Sequence, residues 1–350
     1  MKRRKSLNLE KIILCIVLLV LVGVIIYIIV NNNTSQENLK EEQSASSKPE
    51  IEDITAPEIT LNGNSNLVIA LGSEYTDLGA KATDNIDGDI SNKIEVQGDV
   101  DTQTEGEYTV KYTVKDSSEN ASEIERKVTV RKPLKNGLPV LMYHFFYDEN
   151  VGTGPDNNYI EIKDFEEQMK YLQEENFYFP TWEEVEQYID GKIELPSKSV
   201  VLTFDDGDPS FYDLAVPIIQ KYNAQATSFV ISAWYGYRAA ENQPNIDYES
   251  HSDDMHQAGA NGKGVMLSWS EDKIKEDLET SKNTLGGSTI FCYPFGQYND
   301  RAINILKECG FKLAFTTKGG RVYKGSNKYE LPRVRMSKTT TLREFKNMVN

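Results

Sequence analysis

The chain has 350 residues, 39% of them hydrophobic and 26% charged, with a formal net charge of −16. That length exceeds one ordinary domain, and the acidity argues against polyanionic partners, so neither nucleic acid nor an anionic lipid surface is expected. Three cysteines, one of them (Cys15) inside an apolar run, exclude a disulfide framework, and the fold must rest on hydrophobic cores.

The first segment, 1–11, is basic, with Lys2-Arg3-Arg4-Lys5 ahead of an uncharged apolar run over 12–30. Such a run is long enough to cross hydrocarbon. The basic cluster stays cytoplasmic, which places everything after Val30 outside. No small-x-small cleavage site follows, so the expectation is a single-pass transmembrane helix, with a cleaved signal peptide as the alternative. Residues 31–52 are rich in Asn, Ser, Gln, Glu and Lys and read as a disordered linker. Beyond residue 30 the chain carries about −20, because residues 1–30 hold five Lys/Arg against one Glu.

Over 53–131 the pattern changes to short alternating strands. Tyr108, Val110, Tyr112 and Val114 share one face, and Arg126-Lys127-Val128-Thr129-Val130 forms a last strand. The spacing predicts a small all-β sandwich. Ala56-Pro57-Glu58-Ile59, Gly72-Ser73-Glu74-Tyr75, Ala82-Thr83-Asp84-Asn85 and Asp87-Gly88-Asp89 resemble the bacterial immunoglobulin-like modules of surface proteins. The aspartates at 84, 87 and 89 suit either calcium or Asx turns. No chemistry is assigned to this module.

From 137 to 350 apolar strands alternate with amphipathic helices, the pattern of an α/β fold with a parallel sheet. Strands are expected over 138–146, 200–204, 227–231, 289–293, 313–317 and 331–336. Helices are expected around Phe165, Met169, Tyr171 and Leu172, after the capping box Thr181-x-x-Glu184, and over 214–222. Others follow the Ser268-x-x-Glu271 cap, run over 302–309, and end the chain through Leu342, Phe345 and Met348. A (β/α) barrel, complete or distorted, follows, with its site at the strand C-termini.

The strand 200–204 runs into Asp205-Asp206-Gly207. Adjacent carboxylates repel, and a cation or a shared proton relieves the charge. His251 and His256 lie about 140° apart on an ideal helix, so they converge only if His251 precedes the turn that carries His256. Two imidazoles and one carboxylate form a facial ligand set with open positions; two exposed loop histidines are the alternative.

Thr203-Phe204-Asp205-Asp206-Gly207, His251 with His256, and Tyr293-Pro294-Phe295-Gly296 together resemble the motifs of the polysaccharide deacetylases of the NodB-homology family, carbohydrate esterase family 4. The resemblance departs in three places. Four residues rather than three separate the histidines, Cys292 stands where the third motif usually has arginine, and no histidine follows His256. All three departures resemble the branch that deacetylates poly-N-acetylglucosamine, in which an early Tyr-His, here Tyr143-His144, supplies the acid. Leu331-Pro332-Arg333-Val334 also resembles that branch, and whether Arg333 replaces the missing arginine is left open.

The resemblance implies that Asp206, His251 and His256 hold a divalent metal, Zn²⁺ by preference. It further implies Asp205 as general base, His144 as general acid, and the backbone N–H of Phe295 as an oxyanion donor. The implied activity is removal of N-acetyl groups from GlcNAc residues of a cell-surface polysaccharide. A peptidoglycan GlcNAc deacetylase is the alternative enzyme, and a non-catalytic glycan-binding surface protein the alternative of another class. Trp234, Tyr235, Tyr237, Tyr143 and Tyr293 are candidates for stacking on sugar rings, against a place in the core.

Overall fold

The computed structural model describes residues 9–45, 53–260 and 262–350. The basic cluster Lys2-Arg3-Arg4-Lys5 and residues 46–52 lie outside them. One helix runs from Leu9 to Ala45, so its backbone carries on through 31–45, where composition suggested a disordered linker. The stretch Gln36-Glu37-Asn38-Leu39-Lys40-Glu41-Glu42-Gln43 is made mostly of good helix formers, with no Gly or Pro to stop it before Pro49. The apolar side chains from Ile16 to Val30 are exposed. Among the described residues no helix is long and apolar enough to cross a membrane. The side chains of Ile12 and Cys15, within the expected span 12–30, are outside the described set.

The module after residue 53 is two small sheets. Glu58–Leu61, Ala80–Asp84 and Gly88–Asp89 pair antiparallel, and Asn66–Ala70, Ala121–Arg131, Gly106–Lys115 and Glu95–Gln97 form the second sheet. Val110, Tyr112 and Val114 are buried as the alternation requires, whereas Tyr108 at the strand's start is only half-buried. Arg126, fully buried, pairs with Asp77 and Tyr112 and donates to the carbonyls of Asn62 and Asn64. Asp87 is taken up by Ser117 and Lys93, and Asp89 caps the Ser91 N–H. Asp84 instead closes an Asx turn with the N–H groups of Ile86 and Asp87, and its carboxylate stands near those of Asp53 and Asp116.

The larger domain is a closed barrel of parallel strands, β1 Val140–Tyr143, β2 Val201–Asp206, β3 Ala226–Val230, β4 Ile246–Ser250, β5 Ile290–Cys292, β6 Leu313–Gly319 and β7 Leu331–Arg335. Neighbours follow the order β2-β3-β4-β5-β6-β7-β1, closing on β2. Around it lie α1 Ile162–Glu174, α2 Trp182–Ile189, α3 Val216–Lys221, α4 Ser232–Ala239, α5 Glu271–Thr284, α6 Asp300–Glu308 and α7 Leu342–Val349. The Thr181 capping box is present, with each partner bonded to the other's backbone. The cap of α5 is Ser270, whose side chain accepts from Lys273 N–H, and not Ser268. The start of the 214–222 helix is a π-helical turn, Phe211–Ala215, ahead of α3.

The barrel is distorted at one seam. β4 and β5 share a single paired position, Ser250 with Phe291. Side chains take over from the missing ladder: the Glu249 carboxylate accepts from Ser288 Oγ and from the N–H groups of Thr289 and Ile290, at 2.5, 3.0 and 2.9 Å. Ser288 Oγ in turn accepts from Ser250 N–H. This seam lies directly below His251.

Candidate metal centre and active site

Asp205 and Asp206 are consecutive, and in a regular strand their side chains would leave on opposite faces. Asp205 keeps the strand register with Phe229 and is 2% exposed inside the barrel. Asp206 adopts φ +74°, and Gly207 follows at φ +73°. Asp tolerates this left-handed conformation better than most residues, and the turn swings the second carboxylate over the barrel rim. Two neighbours in sequence therefore serve one site.

His251 follows β4, and Ser252 takes φ +73°, so the histidine loop is a turn and not a helix. The Asp206 Oδ1 atom lies 3.4 Å from His251 Nε2 and 3.5 Å from His256 Nε2. These three residues form one group whose ligand atoms all lie within 4.8 Å of one another. Two ligands about 2.0–2.1 Å from a tetrahedral centre stand about 3.3 Å apart, which matches this spread. Asp206 Oδ1 is buried and has no hydrogen-bond partner. The other nitrogen of His251, Nδ1, lies 2.8 Å from the Cys292 carbonyl oxygen. That contact puts the proton on Nδ1 and leaves Nε2 free to ligate. The residues thus fit a divalent cation.

Electrostatics agree. Burial disfavours a charged His251, yet Cys292 and Asp206 outweigh it and raise its pKa well above the ordinary value. Burial similarly opposes ionised Asp206, and the His251 ring reverses this and lowers it. Burial lowers His256, with the His251 charge adding to it. The pocket favours positive charge on His251, a charge that a cation would carry instead.

Asp205 is held by Arg333. Nη1 donates to Asp205 Oδ1 and Nη2 to Oδ2, both at 2.7 Å. The remaining guanidinium hydrogens go to Thr203 Oγ1, Cys292 Sγ and the Thr316 carbonyl, at 3.0, 3.1 and 3.1 Å. Burial alone would raise the Asp205 carboxyl; Arg333 overrides it and holds the group well below the usual carboxylate range. Arg333, left open on sequence grounds, occupies the place beside Asp205, and the small Cys292 side chain leaves room for it.

His144 sits in the break between β1 and the short strand Phe145–Tyr147. Its Nε2 is 3.7 Å from Asp205 Oδ2, and its Nδ1 is buried without a partner. Burial lowers its pKa despite the nearby Asp205 and Asp206 charges, so the resting ring is neutral at pH 7.

Phe295 adopts φ +57°, and its ring lies 4.2 Å from that of His256, 43% exposed. Gly296 follows at φ +66°, where a Cβ would come within 2.2 Å of Thr317 Oγ1, so only glycine allows this turn. Trp234, on α4, is also exposed and meets His256 edge-on at 6.2 Å. Tyr237 is exposed on the same helix. Tyr143 and Tyr293 are core residues, their hydroxyls donated to Gln168 and to the Tyr329 carbonyl, and neither reaches the surface.

Residues 192–314 match the family profile described as polysaccharide deacetylase, and residues 59–130 match that of the bacterial surface protein Ig-like domain. A poly-beta-1,6-N-acetyl-D-glucosamine N-deacetylase of Staphylococcus aureus (strain MRSA252) is 31% identical over 216 residues, covering 55% of this chain and 73% of the relative. IcaB from Ammonifex degensii superposes with a TM-score of 0.52 at 27% identity, over 62% of this chain and 97% of that one. The Streptococcus pyogenes deacetylase PplD, solved with acetate, shares the fold with a TM-score of 0.54 at 24% identity, over 63% of this chain and all of the other.

Proposed function

The chain belongs to the polysaccharide deacetylase family, and on that premise we propose that it removes N-acetyl groups from GlcNAc residues of a β-1,6-linked poly-N-acetylglucosamine at the cell surface. The observation that carries the chemistry is the convergence of Asp206, His251 and His256 on one point, with the buried Asp206 Oδ1 lacking a partner, beside the Arg333-held Asp205. The choice of polymer follows the name of the Staphylococcus aureus relative.

Asp206, His251 and His256 hold the cation, with Zn²⁺ the metal that best suits two nitrogens and one oxygen at this spread. A divalent cation here supplies a Lewis acid that acidifies water and polarises the acetamide carbonyl. Asp205, fixed as a carboxylate by Arg333, accepts the proton of the attacking water. The Phe295 N–H, presented by the left-handed turn, donates to the oxygen that gains charge in the tetrahedral state. His144 is neutral at rest and 3.7 Å from Asp205. It is placed to receive that proton and to pass it to the sugar nitrogen as the C–N bond breaks. Trp234 and Phe295 offer exposed apolar faces for the sugar ring and the acetyl methyl.

The apolar run 12–30 is read from the sequence as the membrane anchor; the exposed apolar side chains from Ile16 to Val30 support that reading, although the described part of the helix alone is not long and apolar enough to cross a membrane. The immunoglobulin-like module then serves as a spacer. Acetate release from β-1,6-linked GlcNAc oligomers, compared with peptidoglycan, tests the substrate. Release from peptidoglycan alone would overturn the choice of polymer, and release from neither would overturn the enzyme reading. Recovery of the full chain in the soluble fraction would overturn the anchor.

A further inference from the structure

Four residues stand between His251 and His256, and the loop they form is neither helix nor strand. Its backbone amides must find partners outside regular structure, because buried N–H groups are costly when unpaired. Those of Asp253 and Asp254 both point at one side chain. Asp277 Oδ1 accepts from Asp253 N–H at 2.8 Å, and Oδ2 from Asp254 N–H at 2.8 Å. Asp277 comes from α5, is 7% exposed, and makes no ion pair with any described basic residue. Its role is therefore not charge neutralisation.

The rest of the loop is tied down around this contact. One turn further along α5, Ser281 Oγ lies 2.8 Å from Ser250 Oγ, which accepts from Ser252 N–H. On the other side, Ser232 Oγ donates to Asp253 Oδ1 at 2.6 Å. The N–H groups of Ser232 and Ala233 donate to the carbonyls of Ser252 and Asp253. The loop is thus clamped between the first turn of α4 and the middle of α5. Serine contacts hold its His251 end, whereas the two central amides depend on Asp277 alone. Burial raises the Asp277 carboxyl to about 6, the two amides opposing the rise, so at neutral pH both oxygens remain acceptors.

We propose that Asp277 is the positioning residue that sets the separation of His251 and His256, by holding both central amides of the loop between them. This inference rests on the reading of Asp206, His251 and His256 as the ligands of a divalent cation. Asp277 touches neither the cation nor the substrate. It fixes the turn that lets two histidines with four residues between them present their Nε2 atoms to one point. Asn at this position keeps the volume but offers one acceptor oxygen and turns an NH₂ against the second amide.

The test is metal affinity, not turnover. Zn²⁺ binding to the full-length protein is measured by competition with a chromophoric chelator, and the ligand field is read from the absorption spectrum of the Co²⁺-loaded protein. Asp277→Asn should bind Zn²⁺ about 10–100-fold more weakly, the usual effect of removing a group that orients metal ligands, and should shift the Co²⁺ bands. Glu276→Gln, at an exposed neighbour on the same helix, should change neither. Equal affinity and an unaltered spectrum in folded Asp277→Asn would overturn the role of Asp277 and leave the ligand assignment standing. A wild-type protein that takes up no cation would instead bring down the ligand assignment. Amide exchange in the wild-type protein gives an answer that does not depend on the variant folding. The Asp253 and Asp254 amides should be slow, and fast exchange of both would refute the contact.

Discussion

Replacing Arg333 with Met would expose what the guanidinium does. Arg333 is 1% exposed, and all five of its N–H hydrogens are used, two of them on Asp205. The substitution keeps the volume roughly constant but leaves the Asp205 carboxylate buried without a counter-charge. Removing one partner of a buried pair costs roughly 3–5 kcal/mol, and the unpaired Thr203 hydroxyl and Thr316 carbonyl add to that. The direction with pH follows from Asp205. In the wild type its folded pKa lies below the unfolded value, so the pair contributes stability above the unfolded pKa, near 3.8, that is lost as pH falls through the folded one. Without Arg333 burial is opposed only by the weaker pull of His144 and His251, the folded pKa moves above 3.8, and stability is lost as pH rises through that interval. The gap between variant and wild type should therefore already be present near pH 4, where the wild type holds most of the pair's stabilisation, and should widen further towards neutrality. Urea unfolding of the metal-free proteins at pH 4.5 and 7.5 measures it. In the metallated enzyme the acid limb of kcat/KM should move to higher pH, because Asp205 must now lose a proton before it can accept one. A pH-independent gap below about 1 kcal/mol, with an unmoved acid limb, would refute the argument.

Other outcomes follow from the same geometry. His256→Ala should lose the cation, seen as substoichiometric metal by elemental analysis. Asp205→Asn should retain the metal while turnover falls ~10²–10⁴-fold, measured by acetate release. His144→Ala should keep fold and metal and lose ~10²–10⁴-fold in kcat/KM; a wild-type rate would pass the donor role to water. Asp277→Asn should flatten the pH dependence of stability between about 4 and 6. The wild-type carboxyl is raised to about 6 by burial, so wild-type stability falls over that window as the group ionises, by about 3 kcal/mol.

What the sequence made legible was chemistry confined to short contiguous stretches. Asp205, Asp206, His251 and His256 stand out because a carboxylate pair after a buried strand and two nearby histidines are unusual side by side. The structure brings Asp206, His251 and His256 to one point, with Asp205 grouped beside them with His251 and Cys292. The strand pattern of 137–350 was readable where strands are wholly apolar. It failed at β4, whose sequence Ile246-Asp247-Tyr248-Glu249-Ser250 looks like a loop. Glu249 is polar there because its carboxylate replaces the missing ladder to β5, and burial pushes it up to about 7. A residue that repairs a distorted seam has no periodicity to reveal it. Asp277 was hidden for a related reason, whereas Arg333 was raised by the resemblance with its place beside Asp205 left open. Asp277 lies far along the chain from the loop it serves, and a single charged residue on a helix reads as surface until the partner is known.

The two buried aspartates beside the site show how the barrel manages its charges. Asp205 is fixed by a guanidinium with every donor satisfied, and that arrangement lowers its proton affinity. Asp277 is fixed by two neutral amides, and burial leaves its proton affinity high. The difference matches what each position requires. On the proposed mechanism, a group that must be anionic to receive water's proton needs a permanent positive partner, and the partner must be rigid so that one carboxylate oxygen stays aimed at His144. A group that only shapes a loop needs two acceptor lone pairs at the right spacing, and a strong positive partner would compete with the amides for them. Cys292 fits the same account. A larger side chain there would meet Arg333 Nη2, 3.1 Å from the sulfur, and would displace the guanidinium from Asp205. The thiol thus permits an arginine from β7, rather than one from β5, to hold the Asp205 carboxylate.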